Sequence, residues 1–152
     1  GGSEEVHRRT PAGVDVDTID TDGDLGALTD VDAIAFDPDA GVLWIYGSNT
    51  TGSLRRFLQV DSDAEPDVLI DTFEFDERIS AITWDGTYIW ALLSYRPQRV
   101  VQLDVTDFSP VATYVTPTRT TDWQGIAAVN GSLFLLGEDD ATDNGIIKEL
   151  TP

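Results

Sequence analysis

A short residue pattern recurs three times along this chain, roughly every 45 residues, and this repeat constrains the fold more than any other feature. Each copy has a small residue before an isoleucine, then a turn, and then an apolar run that carries an aromatic side chain. The isoleucines and the aromatic residues that follow them are Ile34 with Trp44, Ile82 with Trp90, and Ile126 with Phe134. A repeat of this length predicts one supersecondary unit per copy, with neighbouring units stacked on a shared core.

Every copy of the repeat has the pattern of β-structure. Val, Ile, Thr and aromatic residues dominate the apolar stretches, Gly or Pro bounds them, and helical periodicity is absent from the sequence. Asp85-Gly86 and Asn130-Gly131 separate paired strands, as expected for tight hairpins whose turn positions need a positive φ. A third strand follows in each copy and a fourth in the first two. Together with one further strand at residues 14–19, this predicts an all-β chain of twelve short strands.

The segment 82–90, with its small-Ile start and its Asp-Gly turn before an aromatic residue, resembles β-propeller repeats of the broad YVTN and NHL type. The chain lacks the Gly-His opening and the Trp-Asp strand end of WD40 repeats. The resemblance covers about residues 14–150. It implies three four-stranded antiparallel blades, at about residues 32–75, 79–116 and 123–150. Function does not follow, because propellers host many unrelated activities.

The remaining segments suggest how such blades are completed. Residues 1–13 are predicted to form a flexible N-terminal arm, and residues 14–152 a single three-blade domain. Residues 14–19 are interpreted as a closing strand for the last blade, within the chain or across to a neighbour. Closed propellers usually hold four to eight blades, so three blades alone would leave apolar faces exposed. We therefore expect a homo-oligomer, with a dimer favoured, or a ring completed by a different blade-supplying chain.

The charge balance indicates adaptation to salt. The chain carries 28 acidic and 9 basic residues, for a net charge of -19, and Lys148 is its only lysine. Such charge repels itself at low ionic strength, whereas at about 1 M salt the Debye length shrinks to about 3 Å. Acid-rich, lysine-poor compositions of this kind resemble proteins of extreme halophiles, including haloarchaea and their viruses. An acidic mesophilic protein is the alternative, and nucleic acid is a poor partner for either.

Several residue types needed for common chemistries are missing. The chain has no cysteine, so thiolate metal sites and cysteine nucleophiles are excluded. His7 is the only histidine, and it lies beside Arg8 and Arg9 in a polar segment that does not suit a catalytic triad. The sequence contains no apolar run long enough for a membrane span. An enzyme is therefore the less favoured class.

One acidic cluster is a candidate metal site. Asp20, Asp22 and Asp24 stand at alternate positions, where their carboxylates can present oxygen ligands to Ca²⁺. An EF-hand loop would need Gly in place of Leu25 and Glu in place of Val31, so that motif fails. With 21 Asp in the chain, such clusters also arise from composition alone. A calcium-dependent hydrolase or lyase is the alternative function, which added calcium should stabilise or activate.

Aromatic residues near strand ends are candidate ligand-binding residues. Trp84, Trp123 and Tyr95 are expected at strand ends or in loops, where an exposed ring can stack on a sugar. Arg96, beside Tyr95, is an unusual cation in so acidic a chain, and it either contacts the ligand or pairs with a neighbouring carboxylate. Tryptophans in the middle of strands are expected to pack between blades.

The leading hypothesis is a non-catalytic propeller module for assembly and binding, a surface or virion component of a halophilic system that recognises a glycan or a protein. Asn49 and Asn130 begin glycosylation sequons, and modification there would place the protein outside the cell. Asn130 is better explained by its turn, whereas Asn49 lies in a loop that is expected to be exposed. The cytoplasm of a salt-accumulating halophile is the alternative location.

Overall fold

The computed structural model describes residues 5–21, 28–49, 54–64, 67–117 and 121–150, and within these ranges the chain forms β-strands and no helix. Accordingly, nothing in the described part of the chain forms a helix that could span a membrane. The strands are β1 (Glu5–Arg9), β2 (Asp15–Asp20), β3 (Asp30–Asp37), β4 (Val42–Ser48), β5 (Arg55–Asp61), β6 (Val68–Glu74), β7 (Ile79–Trp84), β8 (Ile89–Leu93), β9 (Arg99–Leu103), β10 (Pro110–Val115), β11 (Thr121–Val129), β12 (Ser132–Asp139) and β13 (Asn144–Leu150).

The strands form three antiparallel sheets that follow the sequence repeat. Sheet I contains β3 to β6, sheet II contains β7 to β10, and sheet III contains β11 to β13, each with its strands in chain order. Strands β1 and β2 form a separate hairpin. The prediction of an all-β fold with antiparallel sheets is confirmed, because alternating apolar residues and hairpin dipeptides are local signals that fix strand and turn together.

The turn at Asn130-Gly131 has the predicted positive φ at both positions, whereas at Asp85-Gly86 only Gly86 has a positive φ. Asn130 and Gly131 have φ angles of 51° and 81°, and they connect β11 to β12 where Val129 pairs with Ser132. In sheet II the Asp85 carboxylate accepts hydrogen bonds from the backbone N–H groups of the turn between β7 and β8. These turns fix the register, which decides which side chains face the neighbouring sheet.

The sheets stack through corresponding faces. We call the face of a sheet that points to the next sheet in the chain its forward face, and the opposite one its rear face. Buried residues join the forward face of sheet I to the rear face of sheet II, and the forward face of sheet II to the rear face of sheet III. The forward-face residues are Trp44, Tyr46 and Phe57 in sheet I and Trp90, Leu92 and Val100 in sheet II. Each such side chain stabilises the stack by about 1.5–3 kcal/mol through burial.

The N-terminal segment differs from its prediction. Residues 5–9 of the predicted flexible arm form β1, which pairs with β2 so that Val6 lies opposite Ile19. Within the chain the predicted closing strand therefore pairs with β1, and β13 has β12 as its only described partner. The physical reason is apolar burial, because Ile19 and Val6 pack on the rear face of sheet I.

Candidate functional site

Strands β3, β7 and β11 share an irregularity at the same repeat position. In each strand the antiparallel register shifts by one residue against the neighbouring strand, which leaves one bulged residue. The bulged residues are Asp32, Ser80 and Gln124. A β-bulge bends the strand and re-aims the side chain it carries. The repeat thus produces three polar side chains in equivalent, re-aimed positions.

The three bulged residues line one surface depression with a volume of about 440 Å³. Strand β7 lies between β3 and β11, so adjacent sheets bring the bulges together. We call this depression the bulge pocket, and its polar lining residues are Asp32, Arg78, Ser80, Ser94, Gln98, Asp122 and Gln124. Both hydrogen-bond donors and acceptors therefore face the same space.

The carboxyl group of Asp32 is perturbed by its surroundings. Partial burial raises its pKa above the ordinary value, and the neighbouring Asp30 raises it further, while Arg78 and Arg55 oppose the shift. Desolvation and a like charge both disfavour the ionised form. A ligand that donates hydrogen bonds to Asp32 would relieve this penalty, which is a property expected at a functional site.

A buried tyrosine fixes the segment that leads into the middle bulge. The Tyr46 hydroxyl donates a hydrogen bond of 2.7 Å to the carbonyl oxygen of Glu77, next to Arg78. Burial raises the pKa of Tyr46 to about 12, so its proton stays in place at neutral pH. The Glu77 carboxylate also pairs with Arg99. Arg78 is thus presented to the bulge pocket from a restrained backbone.

Gln98 joins the loop after β8 to the third bulge. Its side-chain Nε2 donates to the Trp123 carbonyl oxygen and its Oε1 accepts from the Trp123 backbone N–H, both at 2.8 Å. The Gln98 carbonyl oxygen accepts a further bond of 3.0 Å from the Thr116 hydroxyl. Gln98 is buried, so these bonds satisfy groups that water does not reach. They hold Gln124, the next residue after Trp123, against sheet II.

The predicted aromatic residues occupy three different environments. Trp123 is only 1% exposed and packs between sheets II and III, so its expected exposure was wrong; a large indole is buried where two sheets meet. Trp84 is half-buried, with its ring centroid 5.0 Å from that of Trp44. Tyr95 is 61% exposed, in the loop between Ser94 and Gln98 of the bulge pocket. Of the three, Tyr95 offers a free ring beside the pocket.

Arg96 forms an ion pair between two sheets. Its guanidinium donates bonds of 2.6 and 3.0 Å to the Asp140 carboxylate. This pairing lowers the pKa of Asp140 and raises that of Arg96. The alternative of a carboxylate partner for Arg96 therefore fits the structure, and the pair connects the Tyr95 loop of sheet II to a turn of sheet III.

The predicted calcium site lies mostly beyond the described residues. Asp20 is exposed at the end of β2, opposite Glu5, whereas Asp22 and Asp24 lie outside the described ranges. Among the residues that the structure does describe, no three His, Cys, Asp or Glu side chains are grouped so that they could hold a metal ion. The calcium site stays a prediction.

Sequence reasoning missed the bulge residues. The residue directly before the small residue of each repeat copy is Asp32, Ser80 or Gln124, so these three residues occupy the same position of the repeat. Their shared polar character was the signal in the sequence that could have indicated a common site. To predict a register shift at that position, one must know how the strand pairs with its neighbour, and the sequence pattern does not show that pairing.

Comparisons of the sequence and of the structure with known proteins give different answers. No protein-family profile matches the sequence, and no curated protein matches it. The structure resembles the WD40 domain of Neurospora crassa Pan2, with a TM-score of 0.66 and 14% identity over 97% of this chain and 42% of that one. The fold is of the β-propeller type. At this identity the likeness shows the propeller fold alone.

Other solved structures are similar to this chain. Saccharomyces cerevisiae Sqt1 has a TM-score of 0.54 and 10% identity, with 92% of this chain and 36% of that chain covered. Myxococcus xanthus glutaminyl cyclase has a TM-score of 0.54 and 14% identity, with 86% and 55% covered. The chain thus spans about a third to just over half of the length of these neighbours. The named neighbours include an enzyme, so the propeller fold does not decide the function.

Proposed function

We propose that this chain is a non-catalytic propeller-type module that binds a glycan in the bulge pocket, as a surface or virion component of a halophilic system. The observation that carries the proposal is the convergence of three bulged polar side chains, Asp32, Ser80 and Gln124, on one depression. A single bulge is a local irregularity, whereas three at one repeat position produce a composite polar surface.

The chemistry of the bulge pocket suits a polyhydroxylated ligand. Sugar hydroxyls both donate and accept hydrogen bonds, and the pocket offers the carboxylates of Asp32 and Asp122, the guanidinium of Arg78 and the amide of Gln124. The exposed ring of Tyr95 stands in the loop that borders these groups and supplies an apolar surface for stacking. A protein ligand would present fewer hydroxyls and more apolar side chains than this lining matches.

The available groups favour binding over catalysis. The only imidazole, that of His7, lies on the hairpin, where its Nδ1 is 3.3 Å from the Thr18 hydroxyl and its Nε2 is 3.4 Å from a Glu5 oxygen. His7 is not among the residues that line the bulge pocket. The pocket therefore has no histidine to act as a general base.

Glycan binding is expected to depend on the bulged residues. We predict that the wild-type chain retains a subset of glycans on an array and that Asp32→Asn and Gln124→Ala each weaken this binding at least about 10-fold, since each removes about 1.5 kcal/mol or more of hydrogen bonding. Asp71→Asn on the outer strand β6 is the matched control and should bind normally. Equal binding by all variants, or retention of protein ligands only, would contradict the proposal.

The same Asp32→Asn change is expected to stabilise the unliganded protein at neutral pH. The folded-state pKa of Asp32 is raised, so ionising it opposes folding as the pH rises through that pKa, and the penalty is absent below the ordinary value of 3.8. We predict a higher Tm for Asp32→Asn at pH 7 and no gain at pH 3, measured by thermal unfolding. A lower Tm at pH 7 would show that favourable interactions of the ionised Asp32 carboxylate outweigh the cost of burying its charge.

The halophilic assignment predicts strong salt dependence. The net charge of -19 destabilises the compact chain where it is unscreened, and salt between about 0.1 and 1 M shortens the Debye length from about 10 to about 3 Å. We expect the Tm to rise steadily with KCl to at least about 1 M. Sorbitol at matched osmolality is the control, because it stabilises without screening charge. A Tm that is independent of KCl would argue for an ordinary acidic protein.

A further inference from the structure

The forward face of sheet III is apolar, and none of the described strands packs on it. Ala127, Phe134, Leu136 and Ile147 line a depression of about 290 Å³ on it. Leu136 is 53% exposed and Ile147 is 73% exposed. Apolar side chains grouped in this way on a sheet face mark a contact surface.

The repeat shows what kind of surface this face contacts. By strand register, Phe134 corresponds to Trp44 and Trp90, which lie on the forward faces of sheets I and II and are buried against the next sheet. Leu136 and Ile147 correspond in the same way to buried pairs, Tyr46 with Phe57 in sheet I and Leu92 with Val100 in sheet II. The forward face of sheet III therefore has the residue pattern that elsewhere in this chain packs on the rear face of a following sheet.

One rear face in the chain is only partly covered. The hairpin of β1 and β2 buries Leu43, Ile45, Leu58 and Val60 on sheet I. It leaves the β3 residues Ile34 and Phe36 exposed, at 49% and 47%. In sheet II the residue equivalent to Ile34 is Ile82, and it is 6% exposed. Beside Ile34 and Phe36 runs a groove of about 210 Å³ whose opposite wall is the hairpin.

We infer that two copies of this chain associate head to tail, with the forward face of sheet III in one copy packed on the Ile34 and Phe36 groove of the other. This inference goes beyond the proposed glycan binding, and it names the two surfaces through which the expected homo-oligomer forms. Within the chain the forward-face Trp44 packs on the rear-face Trp84 at a centroid distance of 5.0 Å. The equivalent contact between copies joins Phe134 to Phe36.

Charge favours this orientation over contact between like ends. His7 and Arg8 line the sheet I groove, and Arg9 follows them on β1. Glu138 and Glu149 are exposed on β12 and β13 of sheet III. The residues that line the groove include no Asp or Glu, so a head-to-tail contact places these carboxylates against a lining without like charge, whereas two sheet III faces would bring like charges together. Both halves of the contact belong to one chain, so a second copy satisfies them, as in heterologous interfaces.

The test uses single substitutions on each half of the contact, with mass measured by light scattering at about 1 M KCl, where charge repulsion is screened. We expect a wild-type mass of at least twice 16.6 kDa. Phe36→Asp and Ile147→Asp should each give monomers with an unchanged circular dichroism spectrum, because each variant lacks one of the two surfaces that every head-to-tail contact needs. Leu136→Asp is a second sheet III variant, and Ile70→Asp, at an exposed apolar site on β6, is the control that should keep the wild-type mass.

Mixing the two monomeric variants decides the orientation. A Phe36→Asp chain keeps an intact sheet III face and an Ile147→Asp chain keeps an intact groove, so an equimolar mixture should form a 1:1 complex with one functional contact. Association of Phe36→Asp alone would show that sheet III faces pair with each other, and a monomeric wild type would show that another protein covers this face. Either result overturns the inference and leaves the glycan measurement on the bulge pocket independent.

Discussion

Gly47→Ala is expected to unfold this protein or to lower its stability by roughly 3 kcal/mol or more, an effect at the upper end for adding one methyl group. Gly47 stands on β4 opposite Val31, beside the bulge of β3. A Cβ atom there would clash with the Asp30 carbonyl oxygen and would lie 3.1 Å from the Asp30 carbonyl carbon and 3.2 Å from the Val31 Cα. These are backbone atoms, so relief requires that β3 itself moves.

The Gly47→Ala substitution is also expected to disturb the bulge pocket. Displacing β3 shifts Asp32, so any folded fraction of Gly47→Ala should also lose glycan affinity. The measurement is urea unfolding at constant salt, with Gly145→Ala as the control. A Cβ at Gly145 meets no atom within 4 Å, and that variant should differ from wild type by less than about 1 kcal/mol. Wild-type stability of Gly47→Ala would show that β3 and β4 do not approach each other this closely.

Gln98→Ala is expected to be the second most damaging change, with a loss of about 2–4 kcal/mol in the free energy of unfolding. Alanine removes both hydrogen bonds to the Trp123 backbone and leaves a buried N–H and a buried carbonyl group without partners. Each unsatisfied group costs about 1–3 kcal/mol, and water entering the space recovers part of the loss. The stack of sheets II and III weakens as a consequence.

Two variants make this second prediction specific. Gln98→Glu keeps one acceptor but loses the donor to the Trp123 carbonyl group, so it should also be destabilised at neutral pH. Gln102→Ala, a half-buried glutamine on the adjacent strand β9, is the control and should cost less than about 1 kcal/mol. If Gln98→Ala and Gln102→Ala have the same stability in urea unfolding, Gln98 does not join the two sheets.

The local residue pattern was sufficient to predict the strands and turns of the fold. The apolar run from Leu43 to Tyr46 and the dipeptide Asn130-Gly131 specify a strand and a tight turn through backbone preferences that need no distant partner. Repetition of these elements then indicated a stack of like sheets. The burial of Trp44 and Trp90 followed because both stand in the middle of strands at the same repeat position.

The environments of the candidate site residues could be predicted only in part from local residue patterns. Tyr95 was correctly expected in an exposed loop, because it directly follows an apolar strand. Trp123 was expected to be exposed at a strand end, but the rear face of sheet III packs on sheet II there and buries the indole. Arg96 had a stated alternative, a carboxylate partner, and Asp140, 44 residues away in sequence, fills that role.

The β-strands, the hairpin turns, the repeat and the acidic surface could be predicted from the sequence, because each depends on residue type and on neighbours a few positions away. Long-range packing was needed to establish that residues 15–20 pair with β1, that Asp32, Ser80 and Gln124 are bulged toward one pocket, and that sheet III has an apolar face on which no described strand packs. The physical reason is that strand pairing, register and burial are set by which surfaces meet. These contacts join residues that are far apart in the chain. The contacts that form are those that remove the most apolar area of the whole molecule from water.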